Sequence, residues 1–82
     1  MAVTVYDVNA IAFDTRGKMT RFAVEHPMFT LKECDRQIDI WKDEYKYKLI
    51  VSWVQVKYEG GSTKVVHFQE YNWRKYINDK QN

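Results

Sequence analysis

The sequence predicts an α+β domain in which one helix packs on one face of an antiparallel sheet, in the order β-β-α-β-β. Three observations predict it: a capped amphipathic pattern over 30–45, a strand-turn-strand pattern before it, and a second such pattern over 49–71. Strands joined by short turns form antiparallel hairpins, and a helix with one apolar stripe packs on the sheet that they build. At 82 residues the chain has material for one core, and we expect a single domain, 1–82.

The segment before the helix predicts the first hairpin. Residues 2–14 are rich in β-branched and aromatic side chains, which favour a strand. Asp7 and Asn9 interrupt the apolar side of this strand, so we expect a β-bulge or a bend near Asp7-Val8-Asn9. Residues 14–18 have the composition of a turn, and residues 19–26 are predicted to return as the second strand.

A helix is predicted to begin at Leu31. Thr30 and Glu33 have capping-box spacing, in which each side chain is expected to bind the backbone amide of the other residue. Apolar residues then recur at helical intervals along one face. They are Leu31, Cys34, Ile38, Trp41 and Tyr45. The remaining face is charged, so the apolar stripe is expected to pack on the sheet and the helix to fray near Tyr45.

The second hairpin, 49–71, has apolar side chains on both faces and a turn at Gly60-Gly61. Strict alternation places Ile50, Val54, Val56, Val66 and Phe68 on one face. It places Leu49, Val51, Trp53, Val65, His67 and Tyr71 on the other. One helix covers only one face, and an uncovered apolar face indicates a partner. Which face the helix covers stays open, because a one-residue change at the turn alters which residues share a face.

The residues after this hairpin allow two interpretations. Residues 70–77 predict a short amphipathic C-terminal helix with Trp73, Tyr76 and Ile77 turned inward, and a continued strand fits nearly as well. Residues 78–82 are polar and are expected to form a frayed tail.

The side chains that catalysis and metal binding need are scarce. The chain has one cysteine and two histidines, fewer than the four ligands of a structural zinc site. Cys34 lies on the apolar stripe of the helix, where a thiol is usually an inert packing group. Asp35 and Asp39 fit a solvated charged face, and Gly60-Gly61 lacks the strand-loop-helix context of a phosphate loop. We therefore expect a non-enzymatic protein without a metal or cofactor.

Three features favour a cytoplasmic protein. Cys34 is the single cysteine, so no internal disulfide forms, which fits a reducing compartment. The first residues lack the basic and apolar regions of a signal peptide. Apolar runs such as Leu49-Ile50-Val51 are far too short to span a membrane.

The uncovered face of the second hairpin is the predicted binding surface. Trp53 is the expected anchor, because large aromatic side chains dominate contacts between proteins. Lys57, Arg74 and Lys75 are expected to form a cationic rim that steers an acidic partner. The full predicted set is Val51, Trp53, Gln55, Lys57, His67, Tyr71, Trp73, Arg74 and Lys75. The partner is expected to be another protein or a second copy of the chain in a homodimer.

Two other functions stay open. The aromatic content is high, at 16%, and lysines and arginines lie among the rings of the C-terminal half. Rings that stack on bases and cations that follow the backbone bind single-stranded nucleic acid, although a net charge of +2 provides little electrostatic driving force. The other possibility is a structural homo-oligomer. If His67 lies beside Trp53, association is also expected to weaken below about pH 6.5.

In size and general form the whole chain is similar to the small inhibitor and accessory proteins of phages and other mobile elements, including anti-CRISPR proteins. The resemblance rests on a compact, aromatic-rich domain and on no motif. It implies stoichiometric binding to a host protein, and it carries over no functional residue.

Overall fold

In a computed structural model, which describes residues 3–24 and 26–75, the chain forms four strands and one α-helix. The strands are β1 (Val3–Phe13), β2 (Met19–Ala23), β3 (Leu49–Tyr58) and β4 (Thr63–Glu70), and the helix is α1 (Leu31–Tyr45). The strands form one antiparallel sheet in the order β2-β1-β3-β4, and α1 packs on one face of it. The predicted α+β class and the β-β-α-β-β order are confirmed.

The helix packs on the even-numbered side chains of the central strand β1. Ala10 and Ala12 are at most 1% exposed, and their small side chains allow a close approach of α1. The buried cluster between helix and sheet consists of Val8, Ala10, Ala12, Met28, Cys34, Ile38, Trp41, Leu49 and Val54. We call this side of the sheet the covered face and the opposite side the open face.

The β-bulge expected beside Asp7 and Asn9 is absent, and that prediction is wrong. The β1–β3 register is continuous from Val5 to Ile11, and it shifts only near the two ends of β1. Asp7 and Asn9 need no bulge because both lie on the open face, opposite to the buried side chain of Val8. The apolar side of β1 is therefore the one that begins at Tyr6 and includes two alanines.

The turn between β1 and β2 is held by the side chain of Asp14. Its Oδ1 accepts hydrogen bonds from the amides of Lys18, at 3.0 Å, and Arg16, at 2.8 Å. These amides, that of Lys18 first, lower the pKa of the Asp14 carboxyl. Gly17 has φ 79°, the left-handed conformation that glycine adopts readily in a turn. β2 ends at Ala23, earlier than predicted.

The helix begins at Leu31, as predicted. The Thr30 hydroxyl oxygen accepts a hydrogen bond from the Glu33 amide at 3.1 Å and donates one to Glu33 Oε1 at 3.2 Å. α1 ends at Tyr45, and a short 3₁₀ segment, Lys46–Lys48, leads into β3. At the β2 side of the core, Phe22 lies edge-on to Trp41, with ring centroids 4.8 Å apart.

The β3–β4 hairpin contains a register shift that strict alternation does not include. Val54 pairs with His67, whereas the next β3 residue, Gln55, pairs with Val65. Val66 is therefore an extra residue in β4, which makes a β-bulge. A bulge changes the side on which the following side chains lie, so the two predicted face sets are mixed.

The chain continues beside β3 for one residue after β4. The Tyr71 amide donates a hydrogen bond to the Ile50 carbonyl at 2.9 Å, and the backbone then turns, with the Lys75 amide bonded to the Asn72 carbonyl at 3.3 Å. Of the aromatic and apolar residues predicted to turn inward after the hairpin, Trp73 contacts Phe13, at 6.1 Å between ring centroids. Tyr76, Ile77 and the predicted tail, 78–82, lie outside the described residues.

Candidate binding face

The bulge in β4 changes which residues share a face with Trp53. Trp53 pairs with Phe68, so the two rings lie side by side on the open face. His67 and Tyr71 lie on the covered face, where Tyr71 packs against the core and Leu49 is completely buried. The predictions that His67, Tyr71 and Leu49 share the face of Trp53, and that Phe68 does not, are therefore wrong. Leu49 lies on the covered face for a separate reason: the β1–β3 register shifts between Ile11 and Ala12, which makes Ile50 an extra residue in β3.

An apolar patch occupies the centre of the open face. We call it the Trp53 patch, and its members are Val51, Trp53, Gln55, Val65 and Phe68. The three β3 residues are half-buried between neighbouring strands, whereas Val65 is 49% exposed and Phe68 is 63% exposed. Within residues 3–24 and 26–75, no helix packs on this face. Exposed apolar area of this kind is typical of a contact surface.

Arg21 supports Trp53 from the neighbouring strands. Its Nη2 donates a hydrogen bond to Asn9 Oδ1 at 3.2 Å, and its guanidinium carbon lies 5.4 Å from the centroid of the Trp53 ring. Asn9, which pairs directly with Trp53, is only 4% exposed. The arginine is therefore held by an amide on one side and by an aromatic ring on the other, and it fixes the orientation of the Trp53 ring.

The charges on the open face of the sheet balance. Lys57 Nζ lies 3.7 Å from Asp7 Oδ2, and the two other charged residues on this face are Arg21 and Glu70. The two cations and two anions leave the described strand residues of this face without net charge. A partner with a strong charge of either sign gains little long-range attraction from such a surface.

The predicted cationic rim is divided between two ends of the sheet. Lys57 lies near Val5, whereas Arg74 stacks on Trp73, at 4.6 Å from its guanidinium carbon to the ring centroid. Trp73 contacts Phe13, at the other end of β1. Trp73, Arg74 and the exposed Lys75 therefore lie at the opposite end of the sheet from Lys57, and the predicted rim is not one continuous group.

A polar groove of about 530 Å³ lies between α1 and β4 on the covered face. Asp35 Oδ1 is 3.8 Å from His67 Nδ1 across it. At its base Ser52 Oγ and the Tyr71 hydroxyl share a hydrogen bond of 2.7 Å. His67 therefore faces the Asp35 carboxylate of α1 and does not lie beside Trp53. The structure gives no support to the prediction that association at Trp53 weakens below about pH 6.5.

The thiol of Cys34 is buried beneath α1 and is 0% exposed. Burial, followed by the carboxylates of Asp35 and Glu33, raises the pKa of Cys34 to about 11. Because a thiolate is the nucleophile in cysteine chemistry, this thiol is poorly suited to act as one near neutral pH. In the same described residues, no group of three or more His, Cys, Asp or Glu side chains is arranged to hold a metal ion.

We expect Cys34 to resist iodoacetamide at pH 8 in the folded protein. A pKa two units above the ordinary value leaves about 100-fold less thiolate, and burial slows access further. Alkylation followed by mass spectrometry should therefore be at least about 100-fold slower in buffer than in concentrated urea, and it should accelerate as the pH approaches 11. Equal rates in buffer and in urea would contradict the burial of this thiol.

Sequence reasoning missed Phe68, Arg21 and Asn9 as parts of this surface. The position of Arg21 could have been found, because Phe22 is an inward-facing residue and its neighbour in a strand must point outward. The position of Phe68 could not have been found, because strict alternation of side chains does not anticipate the bulge at Val66.

Comparison with protein-family models, with curated protein sequences and with solved structures finds no match for this chain. The described residues contain no helix with both the length and the apolar character that crossing a membrane requires.

Proposed function

We propose that this chain is a non-enzymatic binding module that docks another protein on the Trp53 patch. The observation that carries the proposal is the pairing of Trp53 with Phe68 on a sheet face that no described helix covers. A half-buried tryptophan beside an exposed phenylalanine offers a large apolar contact area, and Arg21 orders the tryptophan before binding. Preorganised aromatic anchors of this kind carry most of the energy of protein contacts.

The charge of the open face favours a protein over a nucleic acid. Its two cations and two anions balance, and Lys57 is already paired with Asp7. Binding to a single strand depends on cations that neutralise phosphates, and a balanced face supplies few of them. Single-stranded nucleic acid is therefore the second candidate, favoured by the aromatic rings alone. A structural homo-oligomer is the third.

The cellular location of the module and the kind of partner it binds are also part of the proposal. A reduced and buried Cys34 suits the cytoplasm. The similarity in size and form to small phage and mobile-element inhibitors favours a host protein as the partner, bound stoichiometrically.

The test replaces Trp53 by serine and compares this variant with an Ile40→Ser control. Ile40 is 45% exposed on α1, away from the open face, so the control changes apolar exposure without touching the Trp53 patch. Each protein is immobilised and exposed to lysate of its source cells, and retained proteins are quantified by mass spectrometry. We expect a stoichiometric partner with the wild type and the control, and at least about a tenfold loss with Trp53→Ser.

A parallel titration with single-stranded oligonucleotides separates the second candidate from the first. Saturable quenching of tryptophan fluorescence that weakens steeply with salt, and that Trp53→Ser removes, would replace the proposed protein partner by a nucleic acid. A partner retained equally by Trp53→Ser and the wild type would show that docking occurs elsewhere.

A further inference from the structure

We infer that β4 pairs edge to edge with β4 of a second copy of this chain, in an antiparallel arrangement that places Val65 of each copy beside Phe68 of the other. This contact uses the edge of the sheet, whereas the proposed partner docks on its open face. The inference therefore goes beyond the proposed function and does not depend on it.

β4 is the more open of the two sheet edges. It is eight residues long and exposed along its whole length, whereas β2, at the other edge, has five residues. In the described part of the chain, no strand pairs with the outer side of β4. An exposed edge strand offers a row of free backbone donors and acceptors, which is a template for another strand.

The centre of β4 lacks the side chains that usually protect an edge. Proteins protect such edges with prolines, with lysines and other charges in the strand, or with bulges that twist the edge away. The charged residues Lys64 and Glu70 lie near the two ends of β4, and between them stand Val65, Val66, His67, Phe68 and Gln69. Within the described residues, pairing at the middle of the edge therefore has only the bulge at Val66 to accommodate.

The bulge at Val66 determines the register in which this edge can pair with a copy of itself. It places Val65 and Phe68, three positions apart, on the same open face. A two-fold axis through the centre of β4 puts Val65 opposite Phe68 of the second copy and Lys64 opposite Gln69. Directly opposed residues of an antiparallel pair must share a face, and both pairs satisfy this condition. Without the bulge, the same register would oppose residues from different faces.

The resulting dimer is an eight-stranded sheet with both helices on one side. The axis that relates antiparallel strands is perpendicular to the sheet, so the two open faces become one surface. The Trp53 patches of both copies then meet at Val65 and Phe68, which are 49% and 63% exposed in the single chain. Pairing reduces that exposure without covering Trp53, so the dimer offers its partner one larger apolar face.

A charge-exchange experiment tests both the contact and its register. Val65→Lys and Phe68→Glu are prepared separately, and masses are measured by analytical ultracentrifugation from low micromolar to hundreds of micromolar chain. The wild type is expected to reach the dimer mass. Each variant alone is expected to dimerise at least about tenfold more weakly, because each places a charge opposite an apolar residue twice per dimer. In an equal mixture, the mixed dimer opposes the introduced lysine to the introduced glutamate once and keeps one native pair. We therefore expect the mixture to dimerise more strongly than either variant.

Each alternative outcome overturns the inference. A wild type that stays monomeric over the whole range excludes the dimer, and a dimer that both variants leave intact must use another surface. Failure of the mixture to dimerise more strongly than its components excludes this register. Circular dichroism spectra matching that of the wild type are required for both variants. Trp53→Ser should still dimerise, so loss of the partner and loss of the dimer are separate results.

Discussion

Replacing Trp41 by alanine is expected to remove most or all of the stability of the domain. Trp41 is 6% exposed and packs edge-on against Phe22. Truncation of a buried tryptophan costs about 3–5 kcal/mol, through lost burial and the cavity that remains. A domain of this size is stabilised by about 4–12 kcal/mol. Urea unfolding followed by circular dichroism should therefore show a midpoint displaced strongly towards zero denaturant, or no folded baseline.

Ile40→Ala provides the matched control for this prediction. Ile40 is the preceding residue of the same helix and is 45% exposed, so its truncation should change the free energy of unfolding by less than about 1 kcal/mol. Trp41→Phe should recover part of the loss, because a second ring still packs against Phe22. Equal unfolding midpoints for Trp41→Ala and Ile40→Ala would show that α1 does not pack on the sheet through Trp41.

The helix could be predicted closely because its signals are local. A capping threonine, a glutamate three residues later and an apolar stripe are interactions within one segment, and the sequence displays all of them. The predicted stripe is nearly the buried stripe, although Leu31 at its start is 37% exposed because it lies at the end of the helix. Such signals can be recognised in one segment without knowledge of its tertiary contacts.

The faces of the sheet could be predicted only in part, because they depend on contacts between distant strands. The buried side of β1 includes Ala10 and Ala12, which are small and do not stand out as core residues in the sequence. They are buried because α1 needs room above the central strand. The more apolar-looking alternation through Val5 and Ile11 belongs to the open face instead.

The sequence predicted which β3 residues share the open face, but it did not predict which β4 residues lie beside them. Val51, Trp53, Gln55 and Lys57 follow simple alternation in one strand and do share the open face, as predicted. Their β4 neighbours depend on the bulge, which is fixed by the pairing of two strands and has no signature in β4 alone. Because β4 has this one extra residue, Phe68 and not His67 lies beside Trp53.

The second prediction with a large expected effect on stability concerns two adjacent residues of β3 that lie on opposite faces of the sheet. Val54 is completely buried on the covered face, whereas Trp53 is half-buried on the open face. Val54→Gln places an amide without a hydrogen-bonding partner among apolar side chains, and its expected cost is at least about 3 kcal/mol. Trp53→Gln loses ring contacts but keeps its amide near solvent, and its expected cost is about 1–2 kcal/mol.

Urea unfolding of the two glutamine variants measures this difference, because the same side chain is introduced at consecutive positions of one strand. The effects of strand propensity are nearly equal in the two variants, so the difference in free energy of unfolding reports burial. Equal destabilisation would mean that both faces of β3 are covered, and the Trp53 patch would then be part of a core. A difference of about 2 kcal/mol or more would mean that Trp53 contributes less to folding than its size allows. Such a surplus of exposed aromatic surface in a small domain is what a docking surface requires.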